Sequence, residues 1–226
     1  YEMIECPVGS EMCIRDSLTP RTEENIEQAC SDMGLDELPP EWQGERDFYK
    51  KLIYDLWIIF DGRLRAVKGV EVDFDVEDMD PIRRHPYRWS PAKVLIATEL
   101  IKEFLRDGVI EKSTSEWAFP ASIVPKPGGK GHRLVVDLRE FNLRVKQDGY
   151  ESPNCDLCLE WMLQRTYRTV FDLRWGFHQL LLSQRAKKVF TFTSPIGTYS
   201  YTRLLMGYIN STAIFQRCCN HSMGES

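Results

Sequence analysis

No apolar run in this 226-residue chain is longer than Leu56–Phe60. A membrane-spanning helix needs roughly 20 such residues, so no span is legible. The opening stretch, YEMIECPVGSEMCIRDS, lacks the basic-then-apolar order of a secretory signal. The seven cysteines are odd in number and lack framework spacing. That argues against a disulfide scaffold and for reduced thiols in an intracellular compartment. Glycines 128, 129 and 131 do not form a phosphate-binding loop, because no G-x-x-x-x-G-K-[ST] is present. His132 and His178 have no serine or cysteine nucleophile in register, which removes the hydrolase classes. Internal repeats and low-complexity tracts are absent too.

What is present is charge, unevenly placed. Residues 1–80 hold 8 Lys and Arg against 21 Asp and Glu, a net charge of −13. Residues 81–226 hold 21 against 13, a net charge of +8. The overall −5 therefore hides an acidic leader and a basic remainder. A basic half suits phosphate binding.

Local signals divide the chain into three stretches. Residues 1–43 read as a disordered leader and polar linker, and GSEMCIRDS (9–17) resembles an adapter-derived translation tract. Residues 44–80 read as an acidic helix-strand connector. Phe48, Leu52, Ile53, Leu56, Ile59 and Phe60 recur at helical spacing and stop at Asp61-Gly62. VEVDFDVE (70–77) alternates, as a half-buried strand does. Residues 81–226 form the third stretch. PIRRHPYRWSP (81–91) is too rich in proline and arginine for a regular element. Ser90-Pro91 then opens a helix with Val94, Ala97, Ile101, Phe104 and Leu105 on its apolar face, closed by Asp107-Gly108. Ser122, Val124, Leu134, Val136 and Leu138 lie on period two around PKPGGKG (125–131), which predicts a hairpin. VFTFT (189–193), SPIG and TYSYT (198–202) predict a second hairpin, and a helix is expected from Asn210 or Ser211. Helices mixed with antiparallel hairpins imply an α+β fold.

Five ordered blocks carry the functional signal. They are PYRWSP (86–91), DGVIEKSTSEWAFP (107–120), HRLVVDLREFN (132–142), FDLRWGFHQ (171–179) and MGYINSTAIFQ (206–216). In this order and spacing they resemble the reverse transcriptase of LTR retrotransposons, gypsy-type in particular. The resemblance covers roughly residues 70–220. It implies the fingers and partial palm of a right-hand polymerase, with the aromatic-x-Asp-Asp block expected beyond Ser226. The chain thus reads as the front half of a polymerase. Departures are Leu205 where the family has proline, Ser211-Thr212 where it has Ala-Pro, and GYESPNCDL (149–157) where it has a tyrosine-proline-leucine-proline run.

The implied chemistry is template-directed nucleotidyl transfer. Charge accumulates on phosphate oxygens, and two metal ions about 3.5–4 Å apart are the usual solution. The resemblance places Asp172 as the first metal-binding aspartate and the Leu173 carbonyl as a further ligand, for Mg²⁺ or Mn²⁺. It makes Arg133 a grip on the incoming triphosphate, since a guanidinium offers a planar fork. Lys126 and Lys130 would reach the outer phosphates. Phe177 would lie under the sugar and block a 2′-hydroxyl. Met206 and Gly207 would pack on nucleotide and template. Asp137, Arg139, Asn142 and Gln216 would hold structure or template. The implied partners are a primed RNA or DNA template, deoxynucleoside triphosphates, and the rest of a Pol polyprotein: remaining palm, thumb, RNase H and integrase. The alternative is a catalytically dead remnant that only binds nucleic acid. A zinc site from Cys155, Cys158, Cys218, Cys219 and His221 is a weaker reading, because adjacent cysteines rarely chelate one metal well.

Overall fold

In the computed structural model the described residues are 21–37, 39–57, 64–74, 76, 79–129, 131–150, 152–164, 166, 173 and 175–223. They divide between two compact units that meet in sequence at Arg65 and Ala66.

The smaller unit is helical. Helix α1 spans Glu23–Asp32 and helix α2 spans Arg46–Asp55, with 3₁₀ turns at Leu35–Glu37 and Pro40–Glu45 between them. Thr22 caps α1 by accepting from the Asn25 N–H at 3.3 Å, and Glu23 and Glu24 suit the positive end of the helix. Ile26, Cys30, Leu35 and Ile53 make the core. The described part of the stretch read from sequence as a linker thus holds α1 and the 3₁₀ turns. The acidic side chains that suggested a solvated leader pair with the cations of α2. Arg46 bridges Glu27 at 2.7 Å and Asp36 at 2.8 Å, and Lys50 holds Glu23 and Glu27. Such exposed pairs add little each; the buried apolar residues decide the fold.

The larger unit is α+β, as its pattern predicts. Its elements are β1 (Glu71–Val72), α3 (Pro91–Arg106), β2 (Ile110–Lys112), β3 (Phe119–Pro125), β4 (His132–Val136), α4 (Arg139–Asn142), α5 (Cys155–Leu163), β5 (Leu181–Leu182), α6 (Gln184–Val189), β6 (Thr191–Ser194), β7 (Gly197–Tyr201) and α7 (Ser211–Met223). Five strands form one sheet in the order β2-β7-β6-β3-β4, antiparallel except for the β3–β6 pair. Helix α3 starts as its sequence dictates: Ser90 accepts from the Lys93 N–H at 3.4 Å and Pro91 occupies the first turn. Ala97, Ile101 and Phe104 are buried, while Leu105 lies at the exposed margin.

Two strand readings change in detail. The strand expected over 70–77 is only Glu71–Val72, paired in parallel with Leu181–Leu182. Val72 and Phe74 are buried as the alternation requires, but Asp73 turns to Ser183 and Arg185 and ends the ladder. Asp75, Glu77 and Asp78 lie outside the described residues. In the β3–β4 hairpin, Ile123 faces Leu134 and Ala121 faces Val136, so these two, not Ser122 and Val124, share the buried side.

The core centres on Phe141, which is fully buried. Its ring lies 5.7 Å from Phe119, 5.8 Å from both Phe190 and Tyr208, 5.9 Å from Trp117 and 6.0 Å from Phe74. One ring thereby joins β3, α4, the segment after β1, the end of α6 and the loop before α7.

Candidate nucleotide and template site

Asp172 and Lys130 lie outside the described residues. The turn after Asp172 is described from Trp175 onward, and Leu173 beside it is exposed. Trp175 adopts a left-handed backbone, with φ 56°, and is the single non-glycine residue to do so among the described residues. That conformation is costly for an L-residue and turns the chain sharply into the Gly176–Gln179 turn. Gly176 lies close to α7: a Cβ there would stand 2.9 Å from Cζ of Phe215, so that ring would have to shift. Phe177 meets the same Phe215 ring edge-to-face, at 5.4 Å. The turn is thus seated on α7.

His178 is structural. Its Nδ1 lies 2.9 Å from the Leu204 carbonyl, and its ring stacks with Trp175 and Tyr201. Burial pushes its pKa below the ordinary histidine value. Arg203 is 2 % exposed, donates to the His178 carbonyl at 3.5 Å, and leaves Nε without a partner.

The β3–β4 hairpin carries the proposed phosphate contacts at its tip. The Lys126 N–H donates to the Gly131 carbonyl at 2.9 Å, closing the loop, and the Lys126 side chain is exposed. Arg133 stands opposite Val124 and is exposed, on the side of the strand away from buried Leu134 and Val136. Asp137 and Asn142 sit at the base. Arg133 and Asp137 are four residue steps apart along the extended chain, about 13 Å.

At that base Asp137 is doubly held. Arg139 donates from Nε at 2.8 Å and from Nη2 at 2.6 Å, and the Tyr87 hydroxyl donates at 2.7 Å. The Arg139 guanidinium holds the Asp137 carboxyl well below the usual carboxylate range, and the carboxylate pushes the Tyr87 hydroxyl up. The Arg-rich segment 81–90 is strapped down beside it. Arg84 pairs with Glu140 at 2.7 Å, and the Trp89 indole donates to the Ala121 carbonyl at 3.1 Å. Sequence reasoning missed Tyr87 as a partner of Asp137; PYRW marked the block but gave no pairing. Because the folded pKa of Asp137 is depressed, its stabilisation is complete above the unfolded value near 3.9 and is lost as pH falls through the folded one. The stability difference between the parent and Asp137→Asn should be full at pH 6 and shrink steadily below about pH 4. Urea titrations of both proteins across that range check this; a constant difference would contradict the pairing.

The fifth block is fixed by polar side chains. Asn142 donates from Nδ2 to the Gly207 carbonyl at 2.8 Å and accepts the Ile209 N–H at 3.0 Å. Met206 is exposed, and Gly207 has φ 93°, a region that favours glycine. Ser211 Oγ donates to the Leu205 carbonyl at 2.7 Å, so two of the three departures from the family pattern are bonded to each other. Gln216 donates to Asn220 Oδ1 at 2.8 Å along α7. The structure thus brings together Asn142, Met206 and Gly207, and separately Asp137 with Arg139, and Phe177 with Phe215. Among the described residues no group of three or more His, Cys, Asp or Glu side chains is spaced to hold a metal ion. Cys155 and Cys158 are exposed on α5, whereas Cys218 is buried in α7. No helix among the described residues is long and apolar enough to cross a membrane.

Residues 124–225 match the family model of reverse transcriptase, RNA-dependent DNA polymerase. The chain is 30% identical over 189 residues to the retrovirus-related Pol polyprotein from transposon opus of Drosophila melanogaster, covering 80% of this chain and 19% of that protein. It is 31% identical over 153 residues to the corresponding polyprotein from transposon gypsy of the same organism, covering 66% and 15%. It therefore spans less than a fifth of the length of these curated relatives. Among solved structures it resembles a prototype foamy virus protease–reverse transcriptase mutant, with TM-score 0.71 and 22% identity over 97% of this chain and 27% of that one. A foamy viral protease–reverse transcriptase in complex with double-stranded DNA gives TM-score 0.68 and 20% identity, covering 97% and 42%.

Proposed function

Since the chain carries at residues 124–225 a reverse transcriptase segment of the retrotransposon Pol type, we propose that it supplies the fingers and part of the palm of an RNA-directed DNA polymerase. The observation that supports this most is the meeting of blocks far apart in sequence. Asn142 of the third block holds Gly207 of the fifth, and Gly176 and Phe177 of the fourth pack on Phe215 of the fifth. A polymerase site assembled from scattered blocks requires such a meeting.

In this reading residues 81–226 hold a primed RNA or DNA template and a deoxynucleoside triphosphate, and work with the remaining palm, thumb, RNase H and integrase of a Pol polyprotein. Asp172 and the Leu173 carbonyl offer hard oxygen donors, which suit Mg²⁺ or Mn²⁺. Such ions, when bound, neutralise charge that builds on phosphate oxygens. Arg133 grips the triphosphate with its fork, and Lys126 and Lys130 reach the outer phosphates. Phe177 lies under the sugar and disfavours a 2′-hydroxyl, held there by Phe215. Arg139 faces the template, oriented by Asp137.

Charge gives the first test. Residues 66–226, the larger compact unit, should bind a primer–template duplex with log affinity falling linearly against log salt, by about 0.9 per phosphate contact. The full chain should bind more weakly at low salt, because its acidic leader repels the duplex. The check is fluorescence anisotropy across a salt series. An affinity independent of salt would count against the proposal.

A further inference from the structure

We infer that Asn142 is a positioning residue for nucleotide binding, acting through the backbone of Gly207; the inference rests on the polymerase reading above. Asn142 is not aimed at a ligand. Both of its amide functions are spent on one short loop: Nδ2–H on the Gly207 carbonyl at 2.8 Å, and Oδ1 on the Ile209 N–H at 3.0 Å. The residue between those two contacts, Tyr208, is buried and packs its ring on Phe141, the neighbour of Asn142. The loop is therefore clasped twice by adjacent residues of α4, by a polar pair outside and a ring pair inside.

The far side of the loop is tied as well. Asn210 accepts the Asp148 N–H at 2.9 Å and donates to the Lys146 carbonyl at 3.0 Å. Gly207 itself is exposed with a positive φ, and its Cα faces the Val136 carbonyl of β4 closely enough that a Cβ would lie 3.7 Å from it. Such restraint is not there to bury the loop. Met206 is 59% exposed and Ile209 is 41% exposed. A bare, rigid glycine backbone flanked by outward apolar side chains is arranged to let a flat or sugar-bearing ligand approach closely. Asn142 also makes this loop continuous with the strand that carries Arg133, so the proposed triphosphate grip and the proposed nucleotide platform share one rigid frame.

The chemistry demands an amide. Aspartate keeps an acceptor for the Ile209 N–H but sets a carboxylate oxygen against the Gly207 carbonyl; alanine removes both bonds. In the full 226-residue chain, Asn142→Ala should lower amide-exchange protection at Ile209 by about tenfold, the scale of one lost hydrogen bond. Asn142→Asp should show a pH signature that the parent lacks at this position. Protonated, the carboxyl again donates to the Gly207 carbonyl, so the folded pKa is raised. The recovered stability is present at acid pH and lost as pH rises through that pKa. In a polymerase completed with the downstream half of a relative, Asn142→Ala should raise the deoxynucleotide KM about tenfold while kcat changes much less, the pattern of lost ground-state positioning. Unchanged exchange at Ile209 would overturn the clasp. Reduced protection with a parental KM would show a merely structural residue and overturn the positioning role. A completed parent without template-dependent synthesis would instead strike the polymerase reading itself, and this inference with it.

Discussion

Phe141→Ala should destabilise the larger unit by about 3–5 kcal/mol, a large fraction of the roughly 5–15 kcal/mol by which native proteins are stable. The ring is fully buried and meets five aromatic side chains from separate parts of the chain. Its removal forfeits transfer free energy and leaves a cavity. That cavity cannot collapse easily, because Phe119 is held by β3 pairing with β6 while Asn142 ties the Tyr208 loop. Edge-to-face contacts such as that with Trp117 add to the loss. Urea unfolding followed by tryptophan fluorescence reads the effect. Leu143→Ala, two residues on and 87% exposed, should change stability by less than about 0.5 kcal/mol. Equal effects from the two substitutions would contradict the assignment of the core.

Much of this fold is written locally. Ser90-Pro91 and Asp107-Gly108 mark both ends of α3, and the structure follows them to within a residue. The period-two runs on either side of SPIG become β6 and β7. The helix expected near Asn210 or Ser211 begins at Ser211. What escaped was pairing at a distance. Glu23, Glu27 and Asp36 look like a solvated acidic leader until Arg46 and Lys50 of α2 are placed beside them. The side of β3 that is buried depends on which residues Leu134 and Val136 face, and alternation fixes a side only relative to a partner. Gly176 reads as turn chemistry, but the ring packed against it belongs to Phe215, 39 residues on. In the same way the blocks were legible as blocks. The Asn142 amide that joins two of them, and the Tyr87 hydroxyl on Asp137, arise only from tertiary geometry.

We propose Asp172 as a metal-binding carboxylate of a template-directed DNA polymerase. Asp172→Asn keeps the size of the side chain and removes its charge, so in this proposal a hard cation would lose a charged oxygen donor while the proposed DNA-binding surface would keep every cation. Metal stabilisation of transition-state charge amounts to several kcal/mol, and each 1.36 kcal/mol is tenfold in rate. The direct measurement is single-turnover deoxynucleotide incorporation on a primed RNA template, by a polymerase in which this chain is completed with a relative's downstream half. It is paired with primer–template affinity for parent and Asp172→Asn. The expected result is template-dependent synthesis by the parent, a loss of about 10³-fold or more in the variant, and affinities within about twofold of each other. Near-parental incorporation by Asp172→Asn would contradict it, and would show that the blocks have been aligned in the wrong register.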